Sequence, residues 1–206
     1  MDKVSFETET FLLGGSFDPV HKGHKALVQF LLREYNPQQV WIIPVARQPL
    51  KKEANLNFIN RCELLELAFQ NLIKKERLKI NKIEHDLPTP SYTSQTYEEL
   101  QKRYPSQKFR WVLGDDVNDS IEHWHRLDWL KQHLPIIILQ RQKNKVNSHI
   151  KEFKDCLFSE NPLWEFSSSE IRKELFVVSK AKEEAIYKYM PEETWEKMKT
   201  LLRQGS

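Results

Sequence analysis

The sequence predicts an α/β fold, a doubly wound parallel sheet followed by a C-terminal helical tail. Three observations predict it. Six short apolar runs alternate with amphipathic stretches of helical period, the pattern of strands and their crossover helices. Several of those runs are apolar throughout, as parallel strands buried on both faces are. From Ser168 onward only helical patterning remains.

Each element has its own signature. The first strand is expected at 10–13, where Phe11, Leu12 and Leu13 run into Gly14 and Gly15. A helix at 24–35 follows, carrying Leu27, Val28, Leu31 and Leu32 on one face. A second strand at 40–44 leads to a helix at 58–73, which carries Leu64, Leu65, Leu67, Ala68 and Leu72 behind an Asn57 cap. Strands at 78–83, 109–113 and 136–139 alternate with helices at 93–104 and 127–133. A sixth strand is expected at 163–166. The tail reads as helices at 169–176, 182–189 and 192–202, with Pro191 at a first-turn position of the last.

No internal repeat or low-complexity linker divides the 206 residues, so they read as one domain. Residues 1–166 form its α/β core, and 167–206 its terminal motif and helical tail. The tail packs either on its own domain or on a neighbouring copy in a homo-oligomer; periodicity leaves both open. A net charge of +3 is too mild to imply a nucleic-acid or membrane partner. The basic segment 141–154, RQKNKVNSHIKEFK, has no interleaved aromatic platform and reads as a solvated loop. The opening decapeptide lacks the apolar run of a signal peptide, and PIIIL at 135–139 is far too short to span a bilayer. Cys62 and Cys156 show no metal-ligand spacing and read as reduced thiols. The expected compartment is the cytoplasm.

Glycine is the sharpest clue to function. The chain has five glycines, and three of them, Gly14, Gly15 and Gly23, fall within ten positions beside His21 and His24. Glycines at the carboxyl end of a parallel strand let the backbone come close to a ligand. The helix behind them offers free N–H groups and a positive dipole end, a seat for phosphate. With Gly23 at the helix start, both imidazoles face an anion above the first turn. That arrangement suits displacement at phosphorus, where non-bridging oxygens are met by preorganised donors.

Gly114 ends another apolar run, placing a second close approach beside the first. Ser168 and its two serine neighbours precede a helix and offer hydroxyl caps and free N–H groups, a second anion seat to which Arg172 adds a charged fork. Trp124 presents either a stacking face for a cationic pyridine or a wedge between helix and core. A zinc site at His123, His125 and His133 has the wrong spacing and no supporting motif.

The run Gly14–His24 (GGSFDPVHKGH) resembles the nucleotidyltransferase superfamily with an H-x-G-H signature, and within it the nicotinate-nucleotide adenylyltransferases. VWIIPVARQPLKK, PSYTSQTYEEL, WVLGDDVNDSIEHWHRLDWL and FSSSEIRKEL extend the likeness in order over roughly residues 11–175. The resemblance implies a Rossmann-like fold and adenylyl transfer from ATP to nicotinate mononucleotide. In that reading His21 and His24 are catalytic. Gly14, Gly15, Ser16, Phe17, Asp18, Gly23, Gly114, Asp116, Ser168, Ile171 and Arg172 bind ATP. Lys51, Tyr92, Thr93 and Trp124 hold the mononucleotide, and Mg²⁺ arrives with ATP. Nicotinamide mononucleotide or another phosphorylated metabolite as acceptor, or a nucleotide-binding regulator without turnover, are the alternatives. The chain departs from the family at Pro49-Leu50-Lys51, where Pro-Pro-His-Lys is usual, and at Asp115, a position usually small.

Overall fold

Strand β1, Glu9–Gly15, lies at the centre of a six-stranded parallel sheet in a computed structural model that describes residues 6–47, 54–140, 146–160, 171–177 and 182–204. The other strands are β2 (Gln39–Pro44), β3 (Leu78–Ile80), β4 (Lys108–Gly114), β5 (Ile136–Gln140) and β6 (Cys156–Glu160). Their order is β3-β2-β1-β4-β5-β6. β1 therefore pairs with β2 on one side and β4 on the other, Leu12 opposite both Trp41 and Trp111. The winding reverses between β1 and β4, and in such sheets a crevice opens outside the carboxyl ends of those two strands.

The helices are α1 (Lys22–Glu34), α2 (Phe58–Ala68), α3 (Gln70–Lys74), α4 (Thr93–Arg103), α5 (Leu127–His133), α6 (Ser148–Lys151), α7 (Lys182–Tyr189) and α8 (Trp195–Gln204). The period-two alternation of β1 divides the core in two. Phe11 and Leu13 face one layer with Val28, Leu31 and Leu65. Leu12 faces the other with Trp41, Trp111, Ile121 and Leu130.

Several expectations need correcting. The helix expected at 58–73 breaks at Phe69, whose backbone leaves helical geometry at ψ 13°. β3 stops at Ile80 because the Asn81 side chain accepts the Ile83 N–H at 3.1 Å and starts a tight turn. The sixth strand is Cys156–Glu160, paired with β5; the expected 163–166 lies outside the described residues. Part of 141–154 is not a solvated loop: α6 drops Ile150 into the core, and Phe153 follows it. In the tail Lys173–Val177 winds as a π-helix, and Pro191 caps a 3₁₀ turn before α8 rather than opening it.

The tail packs on its own chain. Ile186, Met190 and Met198 join the core layer of α1 and α2. Lys22 Nζ donates to the carbonyls of Tyr187 and Lys188 at 2.8 and 3.0 Å, capping the end of α7, and Lys25 pairs with Glu193. Cys62 and Cys156 are both free. Among the described residues no helix is long and apolar enough to cross a membrane.

Candidate functional site

A cleft of about 660 Å³ occupies the crevice beyond β1 and β4. Its floor explains the strand-end glycines. A Cβ on Gly14 would stand 2.9 Å from Trp111 Cζ2, and one on Gly15 would stand 3.2 Å from the Phe17 ring. At the end of β4 a Cβ on Gly114 would meet Asp116 Oδ1 at 2.5 Å. Each glycine makes room for a neighbouring side chain that itself lines the cleft, so the close approach read from the sequence is first an approach of protein to protein. Phe17 adopts a left-handed backbone at φ 47°, a conformation that costs roughly 1–2 kcal/mol without glycine, and its ring packs on His24 at 4.8 Å.

The two histidines occupy different depths. His21 is the N-cap of α1, only 5% exposed, with its ring stacked on that of His24 at 3.7 Å. His24, in the first turn, is the one that reaches the cleft. The His21 N–H donates to His24 Nδ1 at 3.2 Å, so a neutral His24 carries its proton on Nε2 and presents a donor. Burial holds His21 down at about 4, helped by the nearby Arg172 charge. Burial, then His21, holds His24 well below its ordinary value. The pair is neutral at pH 7. Of the two rings expected at one anion seat, His24 lines the cleft and His21 stacks against it at 3.7 Å.

Asp18 is a strut. Its carboxylate accepts from the Asn55 N–H at 2.7 Å, the Asn55 side chain at 3.0 Å and the Leu56 N–H at 2.9 Å, behind a cis Asp18-Pro19 bond. Gly23 is buried inside the first turn of α1, and Ile171 is wholly buried in the core; neither lines the cleft. Arg172 is half-buried, close enough to His21 to shift it. Ser16 and Asp116 line the cleft, whereas Lys51 and Ser168 lie outside the described residues.

The far wall is built at the N-terminus of α4. Tyr92 is its N-cap and Thr93 its first residue, and both line the cleft. Trp124 also lines it while packing against the second core layer, which bears out the wedge reading and leaves one side of the indole on the cleft. His125 stacks on Tyr92 at 4.6 Å, and its Nδ1 lies 2.9 Å from Ser94 Oγ. His133 stacks on Trp129 instead, and among the described residues no three His, Cys, Asp or Glu side chains converge to hold a metal ion.

Of the buried charges that escaped the sequence reading, two bear on the cleft. Arg61 is 2% exposed on α2, and Glu84 is 4% exposed and lines the cleft with Ser91 and Tyr92. A signal for Arg61 was present: it stands three, four and seven residues before Leu64, Leu65 and Ala68, on the face that is buried. Glu84 follows Ile83 in a short turn and carries no periodic signal.

The fold is a doubly wound α/β sheet with a cleft at its switch point, the place and the open helix N-terminus with which this class of nucleotide-binding fold holds phosphates. The model of the cytidylyltransferase-like family matches residues 12–174, and the chain belongs to that family. Curated proteins to which it is similar carry, in particular, the name nicotinate-nucleotide adenylyltransferase, as one from Bacillus subtilis does at 29% identity over 79% of this chain and 82% of its own. A Leptospira interrogans protein, named a probable member of that group, is 32% identical over 171 residues, covering 81% of this chain and 85% of its own. One from Porphyromonas gingivalis, likewise named probable, is 35% identical over 79% of this chain and 82% of its own. The fold is shared with the Plasmodium falciparum nicotinic acid mononucleotide adenylyltransferase complexed with NaAD: TM-score 0.78 at 21% identity, over 94% of this chain and 96% of that one.

Proposed function

We propose that the protein is a nicotinate-nucleotide adenylyltransferase, joining AMP from ATP to nicotinate mononucleotide with release of pyrophosphate in NAD biosynthesis. The observation that carries the reading is His24 at the head of α1, its Nδ1 engaged by the His21 N–H, lining a cleft that also takes in the ends of β1 and β4. The relatives' names supply the substrate class.

In this reading a phosphate oxygen of the mononucleotide attacks the α-phosphorus of ATP in line. The new P–O bond forms as the bond to the bridging oxygen breaks, and pyrophosphate leaves with that electron pair. No covalent enzyme intermediate is needed. His24, neutral and fixed in one tautomer, donates to a non-bridging oxygen as charge gathers there. His21 keeps that ring in place from behind, with Arg172 beside it. Ser168 and Arg172 are assigned to the outer phosphates. Tyr92, Thr93 and Trp124 hold the pyridine end, and Lys51 sits near phosphate. Asp116 on the cleft wall would hold a magnesium ion that keeps its waters and binds mainly the triphosphate, and the ion would offset charge on the phosphate oxygens.

Purified protein incubated with ATP and nicotinate mononucleotide is expected to release pyrophosphate and form the dinucleotide. Absence of both products would contradict the reading.

A further inference from the structure

Beneath the pyridine end of the cleft lies a hydrogen-bond lattice that none of these steps uses. Glu84 Oε2 accepts from Ser91 Oγ at 2.6 Å and from the Ala46 N–H at 3.2 Å, while Oε1 accepts from Thr96 Oγ1 at 3.0 Å. Arg61 meets the same chain segment from the other side. Its Nη1 donates to the carbonyls of Ser16 and Val45 at 2.6 and 2.9 Å, its Nη2 to that of Ala46 at 3.4 Å, and its Nε to that of Leu56 at 3.2 Å. Ala46 is thus held by both its N–H and its carbonyl. Two buried side chains tie the exits of β1 and β2 to the first turn of α4.

A buried carboxylate is costly to keep unless its oxygens are matched, and here three donors match it. Burial raises the Glu84 pKa against the opposing pull of Ser91, Thr96 and Ala46. The three donors belong to two segments distant in sequence, both bordering the mononucleotide end. Val45, Ser91, Tyr92 and Thr93 line the cleft, and Glu84 lines it beside them.

We propose that Glu84 is a positioning residue for the mononucleotide: through Ser91 it fixes Tyr92 and Thr93 relative to the exit of β2, setting the width of the pyridine end. This inference rests on the function proposed above. It treats the two substrates unequally, because the β1–α1 phosphate seat has no bond to Glu84.

The geometry makes glutamine a good replacement. Its amide oxygen takes the place of Oε2, accepting from Ala46 and Ser91. Its NH₂ donates to Thr96 Oγ1, whose own proton already has the Tyr92 carbonyl at 3.2 Å as an acceptor. Alanine satisfies none of these groups. Initial rates with each substrate varied, and direct binding of ATP and of nicotinate mononucleotide, are measured for the unmodified protein, Glu84→Ala, Glu84→Gln and Ser91→Ala. In Glu84→Ala the KM for the mononucleotide is expected to rise about tenfold, the equivalent of one lost polar contact, with the KM for ATP changed less than about twofold. Glu84→Gln restores near-normal values, and Ser91→Ala shifts the mononucleotide alone and by less. Should Glu84→Ala fail to fold, Ser91→Ala with Glu84→Gln carries the test.

Equal losses for both substrates, an unchanged mononucleotide KM in Ser91→Ala, or no rescue by glutamine would overturn the inference. An unmodified protein that makes no dinucleotide would instead overturn the functional reading beneath it.

Discussion

The role proposed for His24 depends on one backbone hydrogen bond. With Nδ1 occupied by the His21 N–H, its proton sits on Nε2, and an Nε2–H donor needs no charge to meet a phosphate oxygen. His24→Ala is expected to lower turnover by roughly 10²–10³, the effect of removing one such donor, as read from steady-state kcat. A pH dependence follows from His21. Its folded-state value of about 4 lies below the ordinary value near 6.5. Between these values the unfolded chain binds a proton that the folded chain refuses. The stability from a neutral His21 is therefore complete above about 6.5 and is lost as pH falls toward 4. Thermal unfolding at pH 7 and pH 5 checks it: the unmodified protein should lose more Tm on acidification than His21→Asn does, and equal losses would remove His21 as the cause. At Gly14 an added methyl group would stand 2.9 Å from a rigid indole, so Gly14→Ala should cost about 1–3 kcal/mol in a denaturant titration. The pair His21 and His24 was legible from residue type and spacing. Their different depths were not, because an N-cap's backbone geometry, rather than its place in a motif, sends His21 inward.

At the scale of elements, legibility followed burial. β1, β2, β4 and β5 are apolar through most of their length, and their positions could be read directly. β6 could not: it is an edge strand with Phe158 44% exposed, and its sequence shows neither an apolar run nor clean alternation. α6 was missed because a four-residue helix inside a basic segment buries its apolar contacts without a helical period. In the tail, α7 and α8 close the face formed by α1 and α2, and Lys22 joins the head of α1 to the end of α7. Met198 is fully buried there. Met198→Ala should cost about 2–5 kcal/mol, measured as a shift in denaturant midpoint. A retained midpoint would mean that α8 contributes little to the core.

Across the whole molecule, the order β3-β2-β1-β4-β5-β6 places every cleft element at one sheet edge. Gly14, Gly15 and Gly114, far apart in sequence, come together because β1 and β4 are neighbours. The glycine pattern pointed to that edge before the strand order was known, and the H-x-G-H resemblance named the chemistry. Arg61 stayed hidden because its partners are backbone carbonyls, which a sequence does not distinguish, and Glu84 because two of its three are hydroxyls of Ser91 and Thr96, brought to it only by the fold. The cleft runs from the head of α1 to that of α4, and the central claim is that the first end is a phosphate seat, the second a pyridine site, and one reaction joins them. Pyrophosphate release from ATP, measured in parallel with nicotinate and nicotinamide mononucleotides, tests it most directly. Rapid release dependent on the nicotinate acceptor, and slower release with the nicotinamide one, is the predicted result; no acceptor-dependent release with either would contradict the account.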